Sequence, residues 1–243
     1  MVQDAKPKGK SMKKALLSGL GASSSIALGY FPVAVSFGVA AVQAGLSPWL
    51  ATLISIGVYA GASQFILIVL IAQQTAILQM VMITIAVNLR HLFYGPALLS
   101  QFQREELPRW PALMAFGLTD EVFATARGRL SKIPSGQKEA WYLGLQLGAY
   151  SAWVSGTVLG AYVASDWLME QPLLQQTLAF VLPALFFALL LDMKQYVSSY
   201  LLLSVALATL FAHYYLPAHH SLLIGMGVGG IWAWLQQKGK SGY

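Results

Sequence analysis

Long uninterrupted stretches of apolar residues recur along the whole chain, and they restrict its fold more than any other feature. A helix needs about 20 apolar residues to cross a bilayer, whereas a membrane β-strand needs about 10 residues of alternating polarity. The stretches here have the longer length and lack the alternation. Charged residues make up only 10% of the chain, against about 25% in a soluble domain. The sequence therefore predicts an all-α, polytopic helical membrane protein.

We predict about eight transmembrane segments from these stretches. They span residues 15–44, 49–71, 75–100, 110–128, 140–165, 173–191, 195–213 and 219–236. A count of seven also fits, if segment four is re-entrant or if segments six and seven merge. With either count, we predict one transmembrane domain at residues 15–236, between a basic tail at 1–14 and a short tail at 237–243.

Segment one resembles segment five in its small residues, as SGLGASSSIALG compared with LGAYSAWVSGTVLG shows. Many transporters are built from internal repeats, which would explain the similarity. Helices rich in small residues also resemble one another by chance, so both explanations stay open.

Positive charges decide the predicted orientation, because cytoplasmic loops of membrane proteins carry an excess of Lys and Arg. The chain begins with the basic stretch KPKGKSMKK. The loop after segment four is also basic and contains Arg127, Arg129, Lys132 and Lys138. The loop after segment five instead carries Asp166 and Glu170. We therefore expect both termini to be cytoplasmic in a bacterial inner membrane, and the net charge of +6 to reflect these flanks rather than a nucleic-acid surface.

Polar and helix-breaking residues lie near the middle of several segments. They are Gly29 and Pro32 in segment one, Gly61, Ser63 and Gln64 in segment two, Asn88, Arg90 and His91 in segment three, Thr119, Asp120 and Glu121 in segment four, Tyr150, Ser151, Trp153, Ser155 and Gly156 in segment five, and Pro183 in segment six. Irregular backbone at that depth is tolerated only where it is buried in protein or lines a cavity. We therefore expect helices that are broken near the midplane and a polar site between them.

The stretch from Gly29 to Pro32 allows two interpretations. Pro32 could begin a new half-helix, whose free N–H groups and positive dipole end would face an anion. A simple proline kink is common in membrane helices and explains the same residues. The neighbouring stretch from Gly61 to Gln64 combines small residues, which allow close helix packing, with an amide that can both donate and accept hydrogen bonds.

Arg90 is the most costly residue in the apolar stretches, because a charge at mid-bilayer costs at least ~2.5 kcal/mol. Asp120 and Glu121 lie at a similar depth in segment four, so one of them is expected to pair with Arg90. Because neighbouring residues on a helix diverge by about 100°, the other carboxylate could face a cavity and carry a proton. A purely structural ion pair between two helices is the alternative.

Other chemistry finds little support in the sequence. His91 could pack between helices or relay protons, and both roles stay open. His213, His219 and His220 suggest a loop near the outer face more than a metal site, and we expect no metal or cofactor. The chain has no cysteine and no HExxH or GxSxG motif, so an enzyme is not expected.

Four stretches resemble, in order and spacing, the AzlC family: GYFPVAVSFGVAAVQAGLS, YAGASQF, NLRHLFYG and TDEVFA. The likeness covers residues 15–190, and AGASQF and NLRH are its most specific parts. It implies the large subunit of a bacterial exporter of valine, leucine and isoleucine, with methionine as a further candidate. It also implies a proton-driven mechanism and a small hydrophobic membrane partner of the AzlD type. The alternative is a passive channel or a structural membrane subunit without coupled transport.

A branched-chain amino acid needs donors for its carboxylate, acceptors for its ammonium group and an apolar pocket for its side chain. The residues that we expect to bind substrate are Gly29, Pro32, Gly61, Ser63, Gln64, Asn88 and Arg90. Those that we expect to couple transport to protons are Asp120, Glu121 and His91.

Overall fold

A computed structural model describes residues 9–102, 107–164 and 198–240, together with five isolated positions between the last two ranges. Within these ranges the chain is helical and has no strand. Most of predicted segment six, with Pro183, lies outside the described residues. The same is true of Asp166 and Glu170.

The described helices follow the predicted segments closely. They are α1 (Gly9–Ala22), α2 (Ser24–Gln43), α3 (Pro48–Gly57), α4 (Gly61–Ala72), α5 (Ile77–Asn88), α6 (His91–Leu99), α7 (Pro111–Phe116), α8 (Asp120–Arg129), α9 (Lys138–Leu159), α10 (Ser199–Tyr215) and α11 (Ala218–Lys240). A π-helical turn, Gly160–Ala164, extends α9, and the last helix continues past the predicted end at 236. Each of the first four segments is divided into two helices, with breaks at Ser23, 58–60, 89–90 and 117–119.

Two described helices are long and apolar enough to cross a membrane, Ser24–Gln43 and Ile77–Leu99, the second counted through its break. Shorter apolar helices are Pro48–Gly57, Gly61–Ala72, Ser199–Tyr215 and Leu223–Trp232. Only 6% of the apolar window in Ile77–Leu99 is fully buried. Leu78, Ile85 and Leu92 are exposed on this segment, whereas Arg90, His91 and Tyr94 are partly buried. The count of eight spans stays a prediction.

Of the two interpretations of Gly29–Pro32, the new half-helix is wrong, because α2 continues through Pro32 without interruption. Pro32 has no N–H to donate to the carbonyl of Leu28, four residues earlier, but its own carbonyl still accepts hydrogen bonds. The hydroxyl of Ser36 donates to that carbonyl at 3.0 Å, on the following turn. The break in segment one lies nine residues earlier, at Ser23, whose hydroxyl donates back to the carbonyl of Leu20 at 2.7 Å.

Helix α9 is the centre of the described fold and packs against α1, α2, α3, α7 and α8. Its glycines allow this close packing: a Cβ at Gly144 would overlap the carbonyl of Leu16, and one at Gly160 would overlap the carbonyl of Val35. The residue numbers of the contact partners increase together, from Leu16 with Gly144 to Val35 with Gly160, so the α1–α2 segment runs parallel to α9. Small residues at such positions let two helix backbones approach in a membrane, where no hydrophobic force draws helices together.

Two clusters of buried side chains flank α9. The first joins α1, α8 and α9 around Tyr142, Leu145 and Val122, each fully buried. The second joins α2, α3, α4 and α9 around Phe37, Phe65 and Trp153. The breaks in segments two, three and four lie near these clusters. Packing in the clusters therefore holds the first residues of the short helices α4, α6 and α8.

Candidate functional site

A cavity of about 310 Å³ lies where α2 meets the first residues of α4, α6 and α8. Its polar lining consists of Ser25, Tyr30, Tyr59, Arg90, His91, Thr119, Asp120 and Glu121. Its remaining wall is formed by apolar or small residues: Ile26, Gly29, Val33, Ala60, Gly61, Ala62 and Trp153. The cavity therefore brings together residues from segments one to four, including Gly29, Gly61, Arg90, His91, Asp120 and Glu121 of those singled out in the sequence.

Arg90 and Asp120 form an ion pair at one side of the cavity, with Nη1 and Oδ2 2.9 Å apart. The hydroxyl of Tyr94 donates to Oδ1, the other oxygen of the same carboxylate, at 2.5 Å. Both oxygens of Asp120 thus have a partner. The structure selects Asp120 as the partner that the sequence predicted for Arg90, while Nε of Arg90 is buried and has no hydrogen-bond partner among the described residues.

Glu121 has a different environment although it is the next residue in the chain. The hydroxyl of Tyr30 donates to its Oε2 at 2.5 Å, and the same Tyr30 oxygen lies 2.7 Å from the hydroxyl of Thr119. Glu121 is therefore held by a neutral phenol from α2, whereas Asp120 is held by a cation. The adjacent positions diverge on the helix as the sequence predicts.

The local sequence Thr119–Asp120–Glu121 explains why two carboxylates occur together here. Thr119 is the N-cap of α8, and its hydroxyl accepts a hydrogen bond from the amide of Val122 at 3.4 Å. The first turn of a helix carries free N–H groups and a partial positive charge, which stabilises acidic side chains there. The start of α8 is thus suited to keep two acids inside an apolar protein.

Gln64 is fully buried and holds the break between α3 and α4 together. Its carbonyl oxygen accepts from the backbone amide of Ala60 and from the indole N–H of Trp153, each at 3.1 Å. Its amide nitrogen donates to the hydroxyl of Ser55 at 3.0 Å. The structure thus gives Gln64 three protein partners, and it does not place this side chain in the lining of the cavity.

Ser63 and Asn88 form a second bridge beside the cavity. The amide of Asn88 donates to the hydroxyl of Ser63 at 3.0 Å, and that hydroxyl donates to the carbonyl of Ala60 at 2.9 Å. This bridge ties the break in segment two to the end of α5. Neither Ser63, Asn88 nor Pro32 lines the cavity, so their predicted contact with substrate stays a prediction.

The remaining predicted residues do line the cavity. Gly29 lies on α2 and Gly61 is the first residue of α4, where the Trp153 ring lies against the position that a Cβ would occupy. His91 begins α6, and its ring meets Tyr94 edge-on with centroids 5.4 Å apart. No group of three or more metal-ligating side chains occurs within the described ranges.

Tyr59 lines the cavity but is not among the residues predicted from the sequence. It lies in the break between α3 and α4 with a φ of 42°, a left-handed conformation that costs a non-glycine residue about 1–2 kcal/mol. It is 3% exposed, and its hydroxyl has no hydrogen-bond partner in the described structure. An unpaired buried hydroxyl costs a further ~1–3 kcal/mol. Tyr30 was likewise missed, whereas Thr119 was among the mid-span residues that the sequence pointed to.

The sequence contained a signal that Tyr30 and Tyr59 belong to the site. Each lies next to a glycine or alanine, in the mid-span stretches GYFP and YAGASQF. A tyrosine in mid-membrane needs a partner for its hydroxyl. That need could have marked both as candidates before the structure was known.

Comparison with known proteins decides the family. The family model described as AzlC protein matches residues 25–168, which include every residue of the cavity. The chain belongs to the AzlC family. The resemblance inferred from the four sequence stretches is thereby confirmed.

Relatives of this AzlC protein are membrane proteins. The inner membrane protein YgaZ of Escherichia coli is 34% identical over 175 residues, which are 72% of this chain and 71% of YgaZ. An uncharacterized membrane protein of Archaeoglobus fulgidus is 42% identical over 173 residues, 71% of this chain and 73% of its own length. One from Helicobacter pylori strain 26695 is 31% identical over 172 residues, 71% and 72% of the two chains. No solved structure matches significantly. Together these matches indicate a membrane transporter.

Proposed function

We propose that this AzlC protein exports branched-chain amino acids in exchange for protons, as the large subunit of a two-component exporter. The substrates would be valine, leucine and isoleucine, with methionine as a further candidate. Family membership supports the transporter class. The observation that carries the proposal is a single cavity that combines an ion pair, a second carboxylate and an apolar wall.

The cavity has the chemistry that a zwitterion with an apolar side chain requires. Its volume of about 310 Å³ lies at the lower end of the ~300–1,000 Å³ typical of small-molecule sites. Arg90 supplies a positive charge for a carboxylate, and Glu121 supplies a negative charge for an ammonium group. Ile26, Val33 and Trp153 supply apolar surface for the side chain. A larger or strongly charged substrate would fit this lining less well.

Glu121 is the proposed proton carrier, and Asp120 is not. Both oxygens of Asp120 are occupied by Arg90 and Tyr94, so its negative charge is balanced within the protein. Glu121 is held through the neutral hydroxyl of Tyr30 and lines the cavity, through which protons would reach and leave it. An intramembrane carboxylate in such a place is a common proton site in transporters.

A small hydrophobic AzlD-type subunit is proposed as the partner, on the family resemblance alone. The protein is proposed to lie in the bacterial inner membrane with both termini cytoplasmic, which the distribution of Lys and Arg supports. Co-purification of the two subunits from mild detergent tests the partnership. Full export by the purified large chain alone would contradict it.

A passive channel or a structural subunit is the competing function, and catalysis is not proposed. Purified protein, with and without the small subunit, should be reconstituted in liposomes loaded with one amino acid. Counterflow of labelled leucine, valine and isoleucine, but not of glutamate or lysine, is expected. Accumulation against a gradient, driven by an imposed pH difference, separates coupled transport from a channel. Flux that only follows the amino acid gradient would refute proton antiport.

A further inference from the structure

Tyr59 combines three properties that are unfavourable in a folded protein and that meet in the cavity. Its backbone is left-handed, its side chain is almost fully buried, and its hydroxyl has no partner in the described residues. Strained and unsatisfied groups of this kind persist at sites where a ligand uses them. The Gln64 and Tyr30 side chains nearby have protein partners, while the other unpaired buried atoms described beside the cavity are Nε of Arg90 and Oδ1 of Asn88.

The ring of Tyr59 is fixed in position by its neighbours. It meets Tyr150 edge-on with centroids 4.9 Å apart, and it lies 6.2 Å from the ring of Phe116. The Tyr150 hydroxyl donates to the carbonyl of Ile56 at 3.0 Å, just before the break. Gln64 holds Ala60, the residue after Tyr59, from the other side. The surrounding structure therefore holds the Tyr59 hydroxyl in place without giving it a partner.

Arg90 contributes a second buried donor without a partner. Its Nε–H is unpaired although its Nη1 binds Asp120, and both Arg90 and Tyr59 line the same cavity. A guanidinium nitrogen only donates hydrogen bonds, and a phenol donates one readily. Two vacant donors in one cavity are suited to an acceptor with two oxygens.

We propose that Tyr59 is a substrate-binding residue, whose hydroxyl donates, together with Nε–H of Arg90, to the carboxylate of the transported amino acid. This inference rests on the proposed function and adds the group that recognises the carboxylate. Glu121 then faces the ammonium end. The break at residues 58–60 serves to bring the phenol into the cavity. In a helix that continued through this point, Tyr59 would keep the backbone geometry and hydrogen bonds of an ordinary turn.

Tyr59→Phe tests the proposal because it removes only the hydroxyl and keeps the ring. Binding of L-leucine should be compared with that of 3-methylbutylamine, which has the same side chain and amine but no carboxylate. We expect the Kd of L-leucine to rise about 10- to 100-fold, as for a lost hydrogen bond to a charged group. The Kd of the amine should change less than about twofold, which lies within the error of such comparisons. Without ligand, Tm should stay the same or rise.

Tyr142→Phe is the matched control. Tyr142 is fully buried, lies outside the cavity lining, and donates to the carbonyl of Met114 at 3.0 Å. Its loss should lower Tm and leave leucine affinity unchanged. The opposite responses of the two tyrosines distinguish a hydroxyl kept for a ligand from one kept for the fold.

A second measurement avoids any loss of folding. Tyr59→3-fluorotyrosine keeps the hydroxyl and provides a fluorine signal, which should shift on addition of L-leucine and stay in place with 3-methylbutylamine. Unchanged leucine affinity in Tyr59→Phe, or a fluorine signal that does not shift on addition of leucine, would overturn the proposal. Neither result would contradict leucine transport by the native chain. Failure of the native chain to bind any amino acid would overturn both this inference and the proposed function.

Discussion

Removal of Arg90 should destabilise the protein by leaving Asp120 as an unbalanced charge. The pair is close, with a 2.9 Å separation between Nη1 and Oδ2, and its side chains are 37% and 25% exposed. Two unit charges about 4 Å apart attract by roughly 4 kcal/mol at an effective dielectric constant near 20. Loss of one partner from a fully buried pair costs about 3–5 kcal/mol.

The expected loss for Arg90→Ala is smaller than that limit for two reasons. Both side chains are partly exposed, and Asp120 keeps its hydrogen bond from Tyr94. We therefore expect a loss of about 2 kcal/mol in the free energy of unfolding. For a chain of this size that corresponds to a fall of roughly 4–8 °C in Tm. Asp120→Asn should cost about as much, because it leaves Arg90 unpaired.

The double variant Arg90→Ala/Asp120→Asn separates pairing from simple loss of side chains. It contains no unbalanced charge, so its Tm should lie nearer to the native value than the two single losses added together. The difference should correspond to a coupling of about 0.5–3 kcal/mol. Thermal unfolding in detergent, followed by tryptophan fluorescence, gives all four values. Arg127→Ala, on the exposed side of α8, is the control and should change Tm little. Strictly additive losses in the cycle would refute the pairing argument.

Glu121→Gln should fold normally and still exchange one amino acid for another, but it should lose export driven by a pH gradient; full pH-driven export in proteoliposomes would exclude Glu121 as the carrier. In this cysteine-free chain, Ser47→Cys should react with an impermeant thiol reagent in intact cells and Ser135→Cys should not; reaction of the second alone would invert the predicted orientation. Gly19→Ala should lower the yield of folded protein, because its Cβ would overlap the carbonyl of Trp141, whereas Gly21→Ala meets nothing within 4 Å; equal yields would contradict the close packing of α1 on α9.

The sequence predicts the helical fold and most helix positions because apolar length and mid-span polarity are properties of single segments. It also predicts that Arg90 needs a carboxylate, since the cost of an isolated charge in lipid is large. The choice between Asp120 and Glu121 was open, because it depends on how α6 and α8 are rotated about their axes. Only the packed structure fixes that rotation, through the contacts of α8 with α6 and α9.

The helix breaks were harder to place than the helices. Pro32 suggested a break that does not occur, while the break at 58–60 contains no proline and is stabilised by the side chain of Gln64. Such a break depends on a partner four residues away and on the Trp153 indole in another segment. Tertiary contacts of this kind leave no periodic pattern in the sequence, so the sequence suggested a substrate contact for Gln64 but not its hydrogen bonds to the backbone and to Trp153.

The charges around the cavity give a physical reason for exchange between a proton and an amino acid. The charges of Arg90 and Asp120 cancel. When His91 is neutral, an ionised Glu121 is therefore the one uncompensated negative charge among the described residues of the cavity. Such a charge inside a membrane protein needs a partner. A proton on Glu121 supplies one, and, while the carboxylate of a bound amino acid is held by the donors of Tyr59 and Arg90, the ammonium group of the same zwitterion supplies another. Both cannot occupy the same carboxylate at once, so on the proposed function the arrival of one favours the departure of the other. The Arg90–Asp120 pair makes this competition effective, because it removes the second carboxylate that would otherwise accept the displaced proton.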